Sequence, residues 1–232
     1  MKGFLRSGAA LLGILGVVTA IGLTIEWNRR RSIQGWVQEQ GGTFESGGIL
    51  TGIPVPEAAP FDSPTADVGY SNVSRITRPE ASYVVAQYRI SWKDLQNKVE
   101  SFSCVVCFVT MPGTRFPPVQ VAVPTRGSLL ALKPGRPAPP VPIPVPDSSA
   151  AFAAKFEVTP QKDAGEVRSE TLVGLLPKAV QDELVASDTL LSGLETRGGV
   201  VRVQAISRQS GYPHKEVFDV AVRLAAAWSA KR

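Results

Sequence analysis

Two cysteines have the spacing in this chain that is most typical of redox or metal chemistry. Cys104 and Cys107 are separated by two residues. They lie in residues 102–110, whose β-branched and aromatic side chains predict a buried strand, and positions three apart on a strand point to opposite faces. A disulfide or chelate is geometrically poor there, and no second cysteine pair completes a tetrahedral site. We therefore expect two structural core cysteines, with no metal and no cofactor.

The single histidine is the other candidate for chemistry. A hydrolase could use His214 as a base, with Glu216 or Asp219 as its acidic partner and a serine supplied from elsewhere in the chain. The ordinary interpretation is a solvated polar side chain near the start of the last helix. Because no catalytic or nucleotide motif supports the hydrolase, the sequence favours a non-enzymatic binding or scaffolding module.

An uninterrupted apolar run, residues 8–25, is the strongest functional signal. It forms a helix of roughly 27 Å, about the thickness of a bilayer's hydrocarbon core. Trp27 follows at interface depth, and Arg29, Arg30 and Arg31 form a basic flank that suits anionic lipid headgroups. We predict a retained single transmembrane span in the cell membrane.

A cleaved secretory signal is the competing interpretation of the same segment. Lys2 and Arg6 supply a basic start, and residues 18–20 form a plausible cleavage site, which would make the protein envelope-facing or secreted. The apolar run continues past Ala20, which favours retention. The positive charges on the two sides of the span nearly balance, and the density of the triple arginine favours a cytoplasmic carboxy-terminal domain.

Small residues recur along the span at spacings of four, three and four. This pattern places them on one helical face that permits close approach of a second helix. The predicted association face comprises Ala9, Gly13, Gly16 and Ala20. Self-association of the anchor, or contact with a partner protein, is therefore an expectation.

The net charge of +5 belongs mainly to the membrane flank. Residues 1–32 carry a net charge of +4, which leaves +1 for the rest of the chain. A nearly neutral body without a run of lysine or arginine lacks the electrostatic footprint of a nucleic-acid-binding protein. We expect no nucleic-acid partner.

The remaining pattern predicts an α+β fold. Strands are expected at residues 83–92, 99–110 and 118–123, and a hairpin at 190–206 turns at Gly198 and Gly199. Helices are expected at 163–176, 177–186 and 213–230, the last being amphipathic. The predicted organisation is an anchor with its basic flank (1–31), a β-rich domain (32–133), a proline-rich connector (134–148) and an α+β domain (149–232).

The order of these features resembles a group of uncharacterised single-pass membrane proteins common in actinobacteria. The residues that carry the resemblance are Arg29-Arg30-Arg31, Gly35-Trp36, Val105-Val106, Phe152-Ala153-Ala154-Lys155-Phe156-Glu157-Val158 and Leu175-Leu176-Pro177. The chain departs from the group at Ala153 and Ala154, where its members often carry basic or aromatic residues. The resemblance implies an architecture only, with no activity, cofactor or catalytic residue.

Overall fold

The computed structural model describes residues 2–47, 55, 57, 67–93, 99–124, 141–161, 164–205 and 213–230. It is an α+β fold in which helices pack on an eight-stranded antiparallel sheet. The helices are α1 (Lys2–Glu39), α2 (Ala150–Lys155), α3 (Leu172–Leu175), α4 (Lys178–Ala186) and α5 (His214–Ser229). The strands are β1 (Thr43–Glu45), β2 (Asp67–Thr77), β3 (Ser82–Lys93), β4 (Val99–Thr110), β5 (Phe116–Ala122), β6 (Glu157–Pro160), β7 (Leu191–Gly198) and β8 (Val200–Ala205).

Helix α1 is longer than the predicted anchor. It runs for 38 residues without a break, and the segment around Gly35 and Trp36 continues it instead of forming a separate element. It ends where Gly41 adopts a φ of +71°, a left-handed conformation that glycine accepts without strain. Gly42 then passes so close to β2 that a Cβ there would lie 2.5 Å from the Arg75 carbonyl oxygen. The helix is thereby tied directly to the sheet.

The sheet joins both halves of the chain. Its strand order is β1-β2-β3-β4-β8-β7-β5-β6, so the late hairpin β7–β8 lies between β4 and β5. Met111 donates its backbone N–H to the Gly199 carbonyl at 3.3 Å, directly after the Thr110–Val200 pair of β4 and β8. The segments predicted as a β-rich domain and an α+β domain therefore contribute strands to the same sheet.

The two faces of the sheet carry separate apolar clusters. The larger cluster lies under the helices and includes Val85, Cys107 and Leu224, whereas the opposite face holds Tyr88 and Cys104. Both cysteines are free and buried, and their assignment to opposite faces confirms the prediction made from the strand pattern.

The closing helix confirms the predicted amphipathic pattern. The residues predicted to form its apolar face are all buried: Val217, Val220, Ala221, Leu224, Ala225 and Trp228. The Trp228 indole donates its N–H to the Leu175 carbonyl at 2.7 Å, which fixes α5 against α3.

Two local helix predictions need correction. Residues 164–168 are not helical; a 3₁₀ turn (Ser169–Thr171) and the single-turn α3 occupy the end of the predicted 163–176 helix. Pro177 is the N-cap of α4 and not its first helical residue. Arg168 is the N-cap of the 3₁₀ turn, is extended, and makes no side-chain capping hydrogen bond. A helix begins most readily after a Ser, Thr, Asp or Asn cap, and Arg168 supplies none.

The described part of the proline-rich connector lies along the sheet. The backbone N–H of Ile143 donates to the Val158 carbonyl of β6 at 2.7 Å, and Ile143 and Val145 pack against the larger core cluster. Residues 134–140 lie outside the described residues. The described part therefore extends the edge of the sheet.

Candidate membrane-proximal site

The basic flank of α1 is organised around one carboxylate. Arg29 donates to Glu26 Oε1 at 2.7 Å, and Arg30 donates through Nε to the same oxygen at 2.9 Å. The spacings of three and four residues place these side chains on one helical face. Glu26 thus offsets one of the flank's positive charges, while the exposed Arg31 lies over the Trp27 ring, with its Cζ atom 5.3 Å from the centroid.

Ahead of this flank, residues 15–25 of α1 are apolar on every side and exposed. The large apolar residues are 54 to 67% exposed: Leu15, Val17, Val18, Ile21, Leu23 and Ile25. The two polar residues of the segment satisfy their hydroxyls internally, because Thr19 donates to the Leu15 carbonyl and Thr24 to the Ala20 carbonyl, each at 2.8 Å. The helix surface between residues 15 and 25 is therefore almost purely hydrocarbon.

Behind the flank, the same helix enters the core. Ile33 and Val37, four residues apart, are buried in the larger cluster. Trp36 meets the Phe218 ring of α5 edge to face, with the ring centroids 5.4 Å apart. The carboxy-terminal third of α1 is thus part of the folded body and not a tether.

A polar contact joins the flank to the sheet where α1 leaves it. Arg29 donates to Gln87 Oε1 of β3 at 3.4 Å, and Asn72 Nδ2 of β2 donates to the same oxygen at 3.2 Å. Asn72 adopts a φ of +53° at the bulge in β2, which turns its buried amide towards Gln87. The contact of Arg29 with Gln87 and Asn72 therefore fixes the position of the basic flank along β2 and β3.

The predicted association face is described only in part. No atom lies within 4 Å of the position that a Cβ would take on Gly16, and Ala20 is exposed. The side chains of residues 2–14, among them Ala9 and Gly13, lie outside the described residues. Gly16 and Ala20 are therefore open to a second helix.

Of the residues considered for chemistry, His214 and the two cysteines are enclosed by the protein, whereas Asp219 is half-buried. His214 is 2% exposed, so the expectation of a solvated side chain is wrong; it is the first residue of α5, at the point where that helix begins to cover the core. Glu216 is exposed. Burial raises the pKa of Cys104 to about 12 and raises that of Cys107 as well, which keeps both as neutral thiols. Buried neutral thiols of this kind are poor nucleophiles.

No group of three or more His, Cys, Asp and Glu side chains in the described part of the chain could hold a metal ion. Within the same residues, no helix is both long enough and apolar enough to cross a membrane. Comparison with known proteins gives no matching family model, no matching curated protein and no matching solved structure. The resemblance to actinobacterial membrane proteins stays a prediction.

Sequence reasoning missed the partners of the flank. Glu26 could have been found, because a carboxylate three and four residues before two arginines is a standard helical pairing. Gln87 and Asn72 had no such signal, since their contact depends on the β2–β3 register and on the bulge in β2.

Proposed function

We propose that the chain is a membrane-anchored binding or scaffolding module, held at the bilayer by residues 8–25 of α1. The observation that carries the proposal is the contrast along one unbroken helix. The described part of its apolar segment, residues 15–25, is exposed all round, while Ile33 and Val37 of the same helix are buried in the body. A surface helix in water keeps its apolar residues on one stripe, whereas a helix apolar on every side requires an apolar environment.

The chemistry of the segment supports lipid as that environment. The described exposed part, residues 15–25, is roughly 16 Å long, and with residues 8–14 the run reaches roughly 27 Å. The internally bonded hydroxyls of Thr19 and Thr24 would present no unsatisfied donor to hydrocarbon. Trp27 and the arginines follow in the order expected at an interface, where they would meet anionic headgroups.

The anchor is proposed to cross the membrane once, with the body in the cytoplasm. A protease test of a carboxy-terminal tag decides the orientation: protection in intact cells and cleavage in lysed membranes is expected. Cleavage in intact cells would place the body outside.

Retention in the membrane is tested by alkaline extraction and vesicle flotation of the full chain. The expected result is that the full chain floats with vesicles, whereas a variant lacking residues 2–25 stays in the soluble fraction and unfolds cooperatively, its far-ultraviolet spectrum reduced only by the helical signal of the deleted residues. A full chain that is extracted by alkali would overturn the anchor.

The binding role is tested by capture of partners from membranes, with residues 1–31 alone as the control. Proteins recovered with the full chain and absent from the control support a partner-binding body. Equal recovery with both would limit the protein's association to its anchor, where Gly16 and Ala20 are open to a second helix.

The alternative of a cleaved signal meets a physical objection. Cleavage after Ala20 would leave Ile21, Leu23 and Ile25 exposed on a helix fixed to the folded body. Such a surface favours association or aggregation in water. Amino-terminal sequencing of the mature protein is expected to begin at or near Met1, and a start at Ile21 would establish the secreted form.

A further inference from the structure

The described part of the proline-rich connector carries an exposed apolar ridge. Val141 is 80% exposed, whereas the exposed apolar residues of α1 reach 67%. Pro142 and Pro144 are exposed as well. We call Val141, Pro142 and Pro144 the proline ridge. Residues 141–146 contain no charged side chain, so the ridge is apolar and neutral.

The sequence restricts the backbone of this segment at every residue. Residues 142, 144 and 146 are prolines, which hold φ near −65°, and each residue between them precedes a proline and is thereby kept extended. Residues 141–145 belong to neither a helix nor a strand. The pattern favours a polyproline II conformation with three residues per turn, in which Val141 and Pro144 lie on one side, roughly 9 Å apart.

The folded body holds the ridge in place from behind. The Ile143 N–H donates to the Val158 carbonyl of β6 at 2.7 Å, and Ile143 and Val145 pack against the larger core cluster. Just beyond the segment, the Ser149 N–H donates to Oε1 of the buried Gln181 at 2.8 Å. A partner would therefore meet a ridge that is already ordered, so that binding costs little conformational entropy.

The chemistry of the ridge specifies the kind of surface that it fits. Proline has no N–H to donate, and the N–H of Ile143 is already bonded to β6, so the ridge offers pyrrolidine rings and carbonyl oxygens. Hydrocarbon would leave such carbonyl oxygens without a hydrogen bond. A groove lined by aromatic side chains supplies flat apolar surface, and its Trp N–H and Tyr O–H groups supply the donors.

A second copy of this chain does not supply such a groove from its described residues. Trp27 is the only exposed aromatic residue among those whose side chains the structure describes. Its ring lies under Arg31 on α1, and one ring does not line a groove. The surface that fits the ridge therefore belongs to a different protein.

We propose that the proline ridge is the docking site for a partner protein that has an aromatic, proline-binding groove. The ridge lies beside β6 at one edge of the sheet, while α1 packs on β1 and β2 at the other edge, so the proposed anchor leaves the ridge accessible. The inference rests on the proposed binding role, to which it gives a surface and a class of partner, and it does not depend on the anchor.

The test measures the affinity of the full chain, in detergent, for a panel of purified SH3, WW and EVH1 domains, each of which has such a groove. At least one domain is expected to bind. Combining Pro142→Ala with Pro144→Ala is expected to weaken that binding about tenfold or more, because two methylene groups are lost at each position and the backbone is no longer preset.

The matched control combines Pro79→Ala with Pro124→Ala. These two prolines are also exposed but lie outside the ridge, so the control makes the same chemical change elsewhere on the body. It is expected to bind with the affinity of the wild-type chain.

A second measurement uses membranes of cells that express the full chain. A photoreactive benzoylphenylalanine at Ser148, an exposed residue next to the ridge, is expected to form an adduct with a Trp- or Tyr-containing peptide of another protein. The same label at the exposed Ser46, beside β1 at the far edge of the sheet, is expected to form no such adduct. The double change at Pro142 and Pro144 should abolish the adduct from Ser148.

Equal affinity of the two double variants, or no binding to any domain of the panel, would overturn the docking site. An adduct from Ser148 with lipid alone, or with a second copy of this chain alone, would also overturn it. Partner capture by the body that survives the ridge substitutions would support the binding role and overturn only the ridge. Failure of the wild-type chain to float with vesicles would overturn the anchor and leave the ridge untouched, which separates the proposals.

Discussion

Replacing Val17 with arginine would place a charge near the middle of the proposed membrane run. Val17 is 60% exposed on a helix segment that stands clear of the body, so the substitution leaves the core untouched. On an insertion scale, a central valine contributes about −0.3 kcal/mol and a central arginine about +2.5 kcal/mol or more. The free energy of insertion should therefore become less favourable by about 3 kcal/mol, a factor on the order of one hundred in the membrane-bound to free ratio.

The assay compares V17R with V141R by alkaline extraction and flotation. Val141 is 80% exposed on the body, so V141R makes the same chemical change outside the proposed anchor. We expect V17R to shift into the soluble fraction and V141R to remain with the membrane. The same thermal unfolding midpoint in both variants would show that the body is intact. Retention of V17R at the wild-type level would refute the reasoning.

Three further predictions concern the stability of the body. G193A should destabilise the fold by about 3 kcal/mol or more, measured by urea unfolding, because Gly193 has a φ of +153° and an added Cβ would lie 2.9 Å from the Ala122 Cα. The control G174A, at a glycine with open space around it, should change the urea midpoint little. W228F should cost about 2 kcal/mol or more in the same assay by leaving a buried carbonyl unpaired, and an unchanged midpoint would contradict that contact. Burial raises the pKa of Cys104 to about 12 in the folded protein, whereas the thiol ionises near pH 9 in the unfolded chain. The free energy of unfolding should therefore fall between about pH 9 and 12, by on the order of 1 kcal/mol per pH unit. The fall should be steeper in the wild-type protein than in C104A.

Much of the fold could be predicted because its signals are local. The β3–β4 strands follow from their β-branched and aromatic runs, and the β7–β8 hairpin follows from Gly198 and Gly199 between two such runs. The amphipathic period of α5 predicted its buried face. In each case a few neighbouring residues contain the whole signal.

The insertion of β7–β8 between β4 and β5 could not be predicted in the same way. It depends on pairing between residues about a hundred positions apart, such as Val106 with Gln204. The proline-rich segment between them favours a division into domains when only composition is considered. Long-range pairing of apolar strand faces decides the outcome, and no local pattern encodes it.

The basic flank of α1 could be recognised from residue type, but its contacts with the folded body could not. Trp27 and the arginines are recognisable in the sequence, and so is the spacing from Glu26. The burial of Ile33 and Val37 could have been predicted from their spacing of four residues, which continues the helical period beyond the arginines. The glycine at position 35 obscured it, because glycine in a helix interior weakens a helix prediction.

An unbroken α1 makes the anchor and the body turn as one piece. In a helix of 3.6 residues per turn, one inserted residue between Arg31 and Ile33 would rotate the body by about 100° relative to the anchor. Two inserted residues would turn the sheet nearly to the opposite side of the helix axis. Seven inserted residues would return the sheet close to its original direction and move it roughly 10 Å further along that axis. The length of this one helix therefore sets both the direction in which the body faces and its distance from the proposed anchor.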